Sequence, residues 1–247
     1  HERVVAMVNH EFRFEPARAH AKELIESGWL GEPHSANVTV YRSTLNDPHG
    51  TPFDWLMDEA KGGGMLGAAG SHYLDALRWW FGDVRSVAGV SATMVKQRRL
   101  ADSNVMGTVS ADDNFAVILR FVNGALGTVT YSATAPFEFG EQIILSGSEG
   151  MLMMTGDRKL YGAGRGQPVG ELQLPEHLTA EVSPNDHPLY GPTSLLLRVW
   201  IGAIRTGEVA SPSFFDGLKV QELMDGAQRS GQLGRWVEVE KGRFGHR

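Results

Sequence analysis

Apolar and polar positions change their period several times along the chain, and each change marks an element. Between Pro16 and Gly28, the apolar residues Ala17, Ala21, Leu24 and Ile25 recur at helical spacing. Proline suits the first helical position, whose N–H has no partner in the helix, and glycine closes the run. After Gly31-Glu32-Pro33 the period drops to two. Over 35–42, Val38 and Val40 share one face while Asn37, Thr39 and Tyr41 take the other, which predicts a half-buried strand. Residues 43–60 have no period and read as a long loop. From Ser71 the helical period returns in Tyr73, Leu74, Leu77, Trp80 and Phe81, and Gly82 stands where a C-terminal cap belongs. This spacing predicts a helix that begins at Ser71.

The next stretch reads as sheet. Residues 87–95, 114–121, 125–133, 142–145 and 151–155 have strand character, and 158–161 and 171–174 add weaker candidates. Asn123-Gly124 predicts a two-residue type I′ hairpin, and Gly147 to Gly150 a second hairpin. Residues 175–191 are rich in proline, histidine and acids and form a connection. Thr193, Leu196, Leu197, Trp200, Ile201 and Ile204 then make a helical stripe ended by Gly207. Ser213 suits the N-cap of a last helix carrying Leu218, Gln221, Met224 and Ala227 and ending near Gly231, and 236–240 closes as a strand. A short apolar run at 4–8 has strand length.

The expected fold is α+β: a large, predominantly antiparallel sheet with helices on one face. The other face needs cover as well. In 114–121, Phe115, Val117, Leu119 and Phe121 fill one side, yet Ala116 and Ile118 are apolar on the other. In 125–133 the second side carries Thr128, Thr130 and Ser132. A mixed face of this kind predicts a homo-oligomer, a dimer or tetramer, through the sheet.

Composition excludes several classes. The 247 residues carry a net charge of −6, with 42% hydrophobic and 21% charged positions, an ordinary globular balance. The only basic run is Lys96-Gln97-Arg98-Arg99, so neither nucleic acid nor a membrane surface is an expected partner. The absence of cysteine removes disulfides and thiol chemistry and fits the cytoplasm. His10, His34, His49 and His72 are scattered without a paired-ligand spacing, so no metal is expected. Gly147-Ser148-Glu149-Gly150 lacks a nucleophile elbow. Gly162-Ala163-Gly164-Arg165-Gly166 has no helical period behind it, so it reads as a turn or mobile loop rather than a phosphate cradle.

The strongest chemical signal is the stretch from Lys61 to Gly82. Three glycines, Gly62 to Gly64, mark unusual backbone angles or close approach of the chain to something else. With a helix start at Ser71, His72 falls in the first turn, where the dipole disfavours imidazolium and leaves a proton acceptor. Asp75, one turn on, lies on the same face, placed either to orient the ring or simply to complement the dipole as a structural first-turn acid. A lone histidine at a helix start is more often structural, and by itself His72 carries no function.

The pattern G-G-G-x-L-x-x-x-G-x-H-x-x-D, formed by Gly62, Gly63, Gly64, Leu66, Gly70, His72 and Asp75, resembles the signature of the glucose–fructose oxidoreductase / inositol dehydrogenase (Gfo/Idh/MocA) family. Arg13, Phe14 and Pro16 resemble that family's R-F-x-P crossover, and 112–135, 145–152 and 211–239 fall where similar segments do. The resemblance implies an NAD(P)-dependent oxidoreductase acting on a sugar or cyclitol-like hydroxyl or carbonyl. It implies that residues 1–14 are the remnant last strand and crossover of a missing dinucleotide-binding domain, and 15–247 the substrate-binding and oligomerisation domain. His72 is then the catalytic residue with Asp75 beside it. Arg13, Tyr41, Trp55, Gly64 and His72 are the substrate-binding candidates. NAD or NADP would be held only by the missing domain, so this chain alone is expected not to dehydrogenate. One departure stands out: the family commonly has an Asp four residues before the His, and this chain has Ala68. The alternative is a non-catalytic carbohydrate-binding or assembly module on the same fold.

Overall fold

A computed structural model describes residues 4–179, 187 and 189–239. The run at 4–8, expected as an orphan strand left without its parallel neighbours, takes no strand conformation; the Val8 N–H donates to the Pro212 carbonyl, and the Val5 carbonyl accepts from the Trp200 indole. An apolar run becomes a strand only where another strand offers its edge, and here the neighbours are a helix and a loop. A 3-10 turn at Glu11–Phe14 leads into helix α1, Pro16–Glu26, whose Glu15 side chain caps the Arg18 N–H. Strand β1 is Pro33–Tyr41, and its alternation buries Ala36, Val38 and Val40.

Helix α2, Ser71–Phe81, does not start where the period predicted. It continues a five-residue π-helical segment, Leu66–Gly70, so the backbone is helical from Met65 onward. The true N-terminus is capped from outside: Asp112 accepts from the Leu66 N–H through its carboxylate and from the Met65 N–H through its backbone. Gly-Ala-Ala-Gly carries no hydrophobic period and therefore gives no helical signal.

The strands that follow are β2 (Val84–Ala92), β3 (Gln97–Arg99), β4 (Met106–Thr108), β5 (Asn114–Phe121), β6 (Leu126–Ser132), β7 (Gly140–Gly147), β8 (Gly150–Thr155), β9 (Leu160–Gly164) and β10 (Gly170–Leu172). After them come α3 (Glu176–Thr179), α4 (Tyr190–Thr206), α5 (Phe214–Leu233) and β11 (Val237–Glu238). Part of the 175–191 connection and residue 240 lie outside the described residues. Nine strands form one sheet in the order β10-β9-β8-β7-β1-β6-β5-β2-β11, while β3 and β4 pair separately. Every neighbour is antiparallel except β1 against β6, where Val38 lies opposite Val129. The glycine-rich segment at 162–166 runs out of β9 into the hairpin before β10.

The Asn123-Gly124 hairpin is not the predicted type. Gly124 takes φ +94°, but Asn123 is not left-handed, and the turn closes by the Gly124 N–H donating to the Phe121 carbonyl. Asn123 is held by its side chain, which donates to the Phe81 carbonyl and accepts from the Ala125 N–H. That second task ties the hairpin to the end of α2.

Helices α1, α2 and α5 cover the face that carries Val38, Val117, Val129 and Ile143. Alpha-5 lies close on β2, with Gly89 facing Ala227 and Gly226 facing Val87. The stripe predicted on α4 does not go inside: Leu196 is buried, but Leu197, Trp200, Ile201 and Ile204 are exposed. The fold is thus the α+β sheet that the periods predicted, with one central parallel pair.

Candidate active site

His72 follows the π-helical segment directly, so its ring projects from the middle of a continuous helix, and the dipole argument for its neutrality falls away. Another cause replaces it. Burial lowers its pKa below the usual histidine value; Glu11 and then Asp75 oppose that, and the Arg18 guanidinium adds to it. The ring remains neutral at pH 7 because it is poorly hydrated.

The 3-10 turn at Glu11–Phe14 wraps this ring. The Phe12 ring lies 4.7 Å from the imidazole centroid at a 35° tilt. His10 meets it edge-on at 5.7 Å. Glu11 brings Oε2 to 3.5 Å from His72 Nδ1. Nδ1 is enclosed and has no hydrogen-bond partner, while the side chain keeps 20% of its surface exposed. The accessible edge is therefore the one away from Nδ1. Next to it on the helix, Gly67 and Ala68 are exposed and small, so a ligand can approach closely.

Arg13 and Asp75 anchor the turn. Arg13 Nε and Nη2 donate to the two Asp75 oxygens at 2.7 and 2.6 Å, and Asp75 is 0% exposed. The same guanidinium reaches Ser211 and Asp216. Asp75 thus spends its two oxygens on Arg13 and makes no hydrogen bond to His72, acting on that ring only through its charge. The residue facing the ring is Glu11, a carboxylate from the other side of the site. Only the i,i+3 geometry of the helix was visible in the sequence; the acid supplied by the turn was not.

A second polar cluster adjoins through Phe12. The Arg18 guanidinium stacks on that ring at 4.0 Å and donates to both Glu141 oxygens at 2.8 Å. Tyr73 Oη also donates to Glu141, and burial followed by that carboxylate raises the phenol's pKa well above its usual value. These groups line a cavity of about 240 Å³ that Glu15, Arg42, Thr155 and Arg158 also border. Periodicity gives no signal for this cluster, because its members sit on α1, α2 and β7.

The remaining candidates are dispersed. Gly64 is buried with φ +117°, and a Cβ there would fall 2.3 Å from Asp112 Oδ1, so this glycine makes room for the residue that caps the helix. Trp55 opens a 3-10 turn and is 55% exposed. Tyr41, at the end of β1, is 39% exposed and packs edge-on with Phe139. The structure brings His72 together with Glu11, Phe12 and His10, and leaves Trp55 and Tyr41 outside that cluster. Among the described residues no group of three or more His, Asp or Glu side chains is arranged to hold a metal ion, and no helix is long and apolar enough to cross a membrane.

Comparison with known proteins agrees with this architecture. Residues 19–153, more than half of the chain, match the GFO/IDH/MocA C-terminal domain. An uncharacterized oxidoreductase of Synechocystis is 28% identical over 93% of this chain and 64% of its own length. Levoglucosan dehydrogenase of Pseudarthrobacter phenanthrenivorans is 28% identical over 96% of this chain and 67% of its own. The structure of a levoglucosan dehydrogenase in complex with NADH and L-sorbose superposes with a TM-score of 0.88 at 26% identity, covering 96% of this chain and 67% of that one. The chain thus spans roughly two thirds of the relatives it matches. Together with the sheet and the helix that carries His72, these matches show that the chain belongs to the GFO/IDH/MocA family of oxidoreductases, to its C-terminal domain.

Proposed function

We propose that this chain is the substrate-side domain of an NAD(P)-dependent oxidoreductase acting on a hydroxyl or carbonyl of a sugar or cyclitol-like molecule. His72 is the base that takes the hydroxyl proton. One observation carries this reading: a neutral imidazole with one edge enclosed and the other open, beside the small exposed residues Gly67 and Ala68. A base within hydrogen-bond reach of the hydroxyl lowers the barrier as the proton leaves.

The described residues do not fit a dinucleotide. Gly162 to Gly166 runs from strand β9 into a hairpin, with no helix N-terminus behind it to receive a pyrophosphate. Gly62 to Gly67, which also reads G-x-G-x-x-G, does lead into a helix, but it follows a 3-10 turn rather than a strand, and Asp112 takes the Met65 and Leu66 N–H groups. In this reading the nicotinamide, which accepts or donates the hydride, is presented by a separate domain. The chain's own residues orient the substrate and hold the proton. Arg13 and Asp75 hold the Glu11–Phe14 turn against α2, and Gly64 admits the Asp112 cap. Support for a sugar substrate comes from levoglucosan dehydrogenase, solved with L-sorbose and with levoglucosan.

The test is His72→Ala in the intact oxidoreductase. Loss of a positioned base is expected to lower kcat by about 10²–10⁴-fold with KM little changed. The fold should persist, because Leu74 and Leu77, not the imidazole, fill the core side of α2. In the active enzyme, the acid limb of kcat/KM should lie below the ordinary histidine value of 6.5, since burial lowers the His72 pKa. Unchanged kcat on the true substrate would reduce His72 to a structural residue and leave the binding-module alternative standing.

A further inference from the structure

We infer that Glu11 is the positioning residue of this site, fixing the His72 imidazole as the Nδ1–H tautomer so that Nε2 presents its lone pair to the substrate. This rests on the assignment of His72 as the base. Four observations converge on it. Glu11 Oε2 and His72 Nδ1 lie 3.5 Å apart, and both atoms are enclosed without any hydrogen-bond partner. Two buried polar atoms that face each other and lack other partners complete one another's bonding; a closure of about 0.7 Å brings them to charge-assisted hydrogen-bond length. Glu11 is itself buried, so its carboxylate is aimed by the packing of the turn and not by solvent. The turn is clamped on α2 by the bidentate Arg13–Asp75 pair, and Phe12 in the same turn covers the ring face. Within His72's own helix the residue one turn earlier is Ala68, which offers no polar atom to the ring.

Chemistry assigns the direction. Glu11 as a carboxylate only accepts, so Nδ1 must carry the proton and Nε2 the lone pair. When Nε2 takes the hydroxyl proton the ring becomes imidazolium, and the adjacent Glu11 carboxylate stabilises that charge. The other charged or titratable groups facing the ring are His10 from the turn, Asp75 from α2 and Arg18 from α1. Asp75 is bound by Arg13, and Glu11 is the acid in ion-pair reach of the His72 ring.

The experiment records histidine-ring NMR on the full chain for the native sequence, Glu11→Gln and Glu11→Leu, with kcat measured for each in the intact oxidoreductase. The native ring should be the Nδ1–H form. Glu11→Gln keeps an acceptor oxygen, so it should keep that tautomer while the ring titrates at lower pH, because the opposing negative charge is gone. Glu11→Leu should move the ring toward Nε2–H and lower kcat by about 10–100-fold with KM unchanged. Should Glu11→Leu not fold, the Gln titration alone decides. Tautomer and titration unchanged in the variants would overturn the inference, whatever happens to kcat. A tautomer shift with native kcat would uphold the Glu11–His72 coupling and sink His72 as the base, so the two claims fail separately.

Discussion

The sequence places Arg13 and Asp75 among candidate ligand-binding and catalytic residues, and the structure makes them partners. Two parallel N–H donors meeting two carboxylate oxygens in a dry site form a strong pair, but one that is costly to break. Asp75→Asn would leave a buried guanidinium facing a neutral amide, with Asp216 as its remaining acid. A loss of about 3–5 kcal/mol is expected, read from the midpoint of urea unfolding. A loss under 1 kcal/mol would show that Asp216 compensates and that the turn does not depend on Asp75. The same variant should depress kcat through disorder of the turn and should also let the His72 pKa fall further, since the Asp75 charge opposes the effect of burial on that ring.

At the scale of elements, α5 shows how one carboxylate serves several ends. Ser213 and Asp216 form a reciprocal capping box at its N-terminus. Asp216 also binds Arg13 and Arg78, so the helix cap is coupled to the turn that wraps His72. Burial works against ionisation here, but the Ser213 N–H and Arg13 prevail and hold the Asp216 pKa at about 2, against 3.8 in the unfolded chain. A depressed folded-state pKa gives stability that is present above the unfolded value and lost as pH falls through the folded one. Unfolding free energy should therefore decline between about pH 4 and pH 2, and Asp216→Asn should flatten that part of the profile. A profile with the same slope in both proteins would remove Asp216 from the account. On α2 the π-helical segment shows the converse case, an element set by an outside group. Asp112 caps it across 46 positions of chain, and Gly64 is what lets the capping carboxylate approach.

Across the whole molecule, the sheet has one face under helices and one open. The open face exposes Val90, Ile118, Leu126 and Met151 among polar residues that satisfy each other, such as Thr128 donating to Asn37 and the Ser35–Ser146 pair. We propose that a second copy covers it. Internally paired hydroxyls reduce the cost of removing this face from water, and the exposed aliphatic residues supply the gain. Light scattering should give a mass that is a multiple of the 27.0 kDa chain, and Ile118→Lys should shift it toward one chain. A single 27.0 kDa species across a wide concentration range would exclude the proposal.

Local sequence decided more of the fold than of the site. Alternation in β1, β5 and β6 fixed which side chains turn inward, because a pleated strand has only two faces and one must be dry. The stripe of Leu74 and Leu77, the cap at Ser213 and the closing Gly207 were likewise legible, since each acts within a few residues of itself. Only tertiary structure decided what lies beyond that range. The insertion of β1 beside β6 in parallel depends on both strands finding one edge. The exposure of α4's stripe depends on what is packed there and not on its period. His72 in a helix interior, made neutral by burial, and Glu11 rather than Asp75 at its ring follow from a turn folding back over a helix far along the chain. Burial and apposition are properties of that contact, and no periodicity in either segment encodes them.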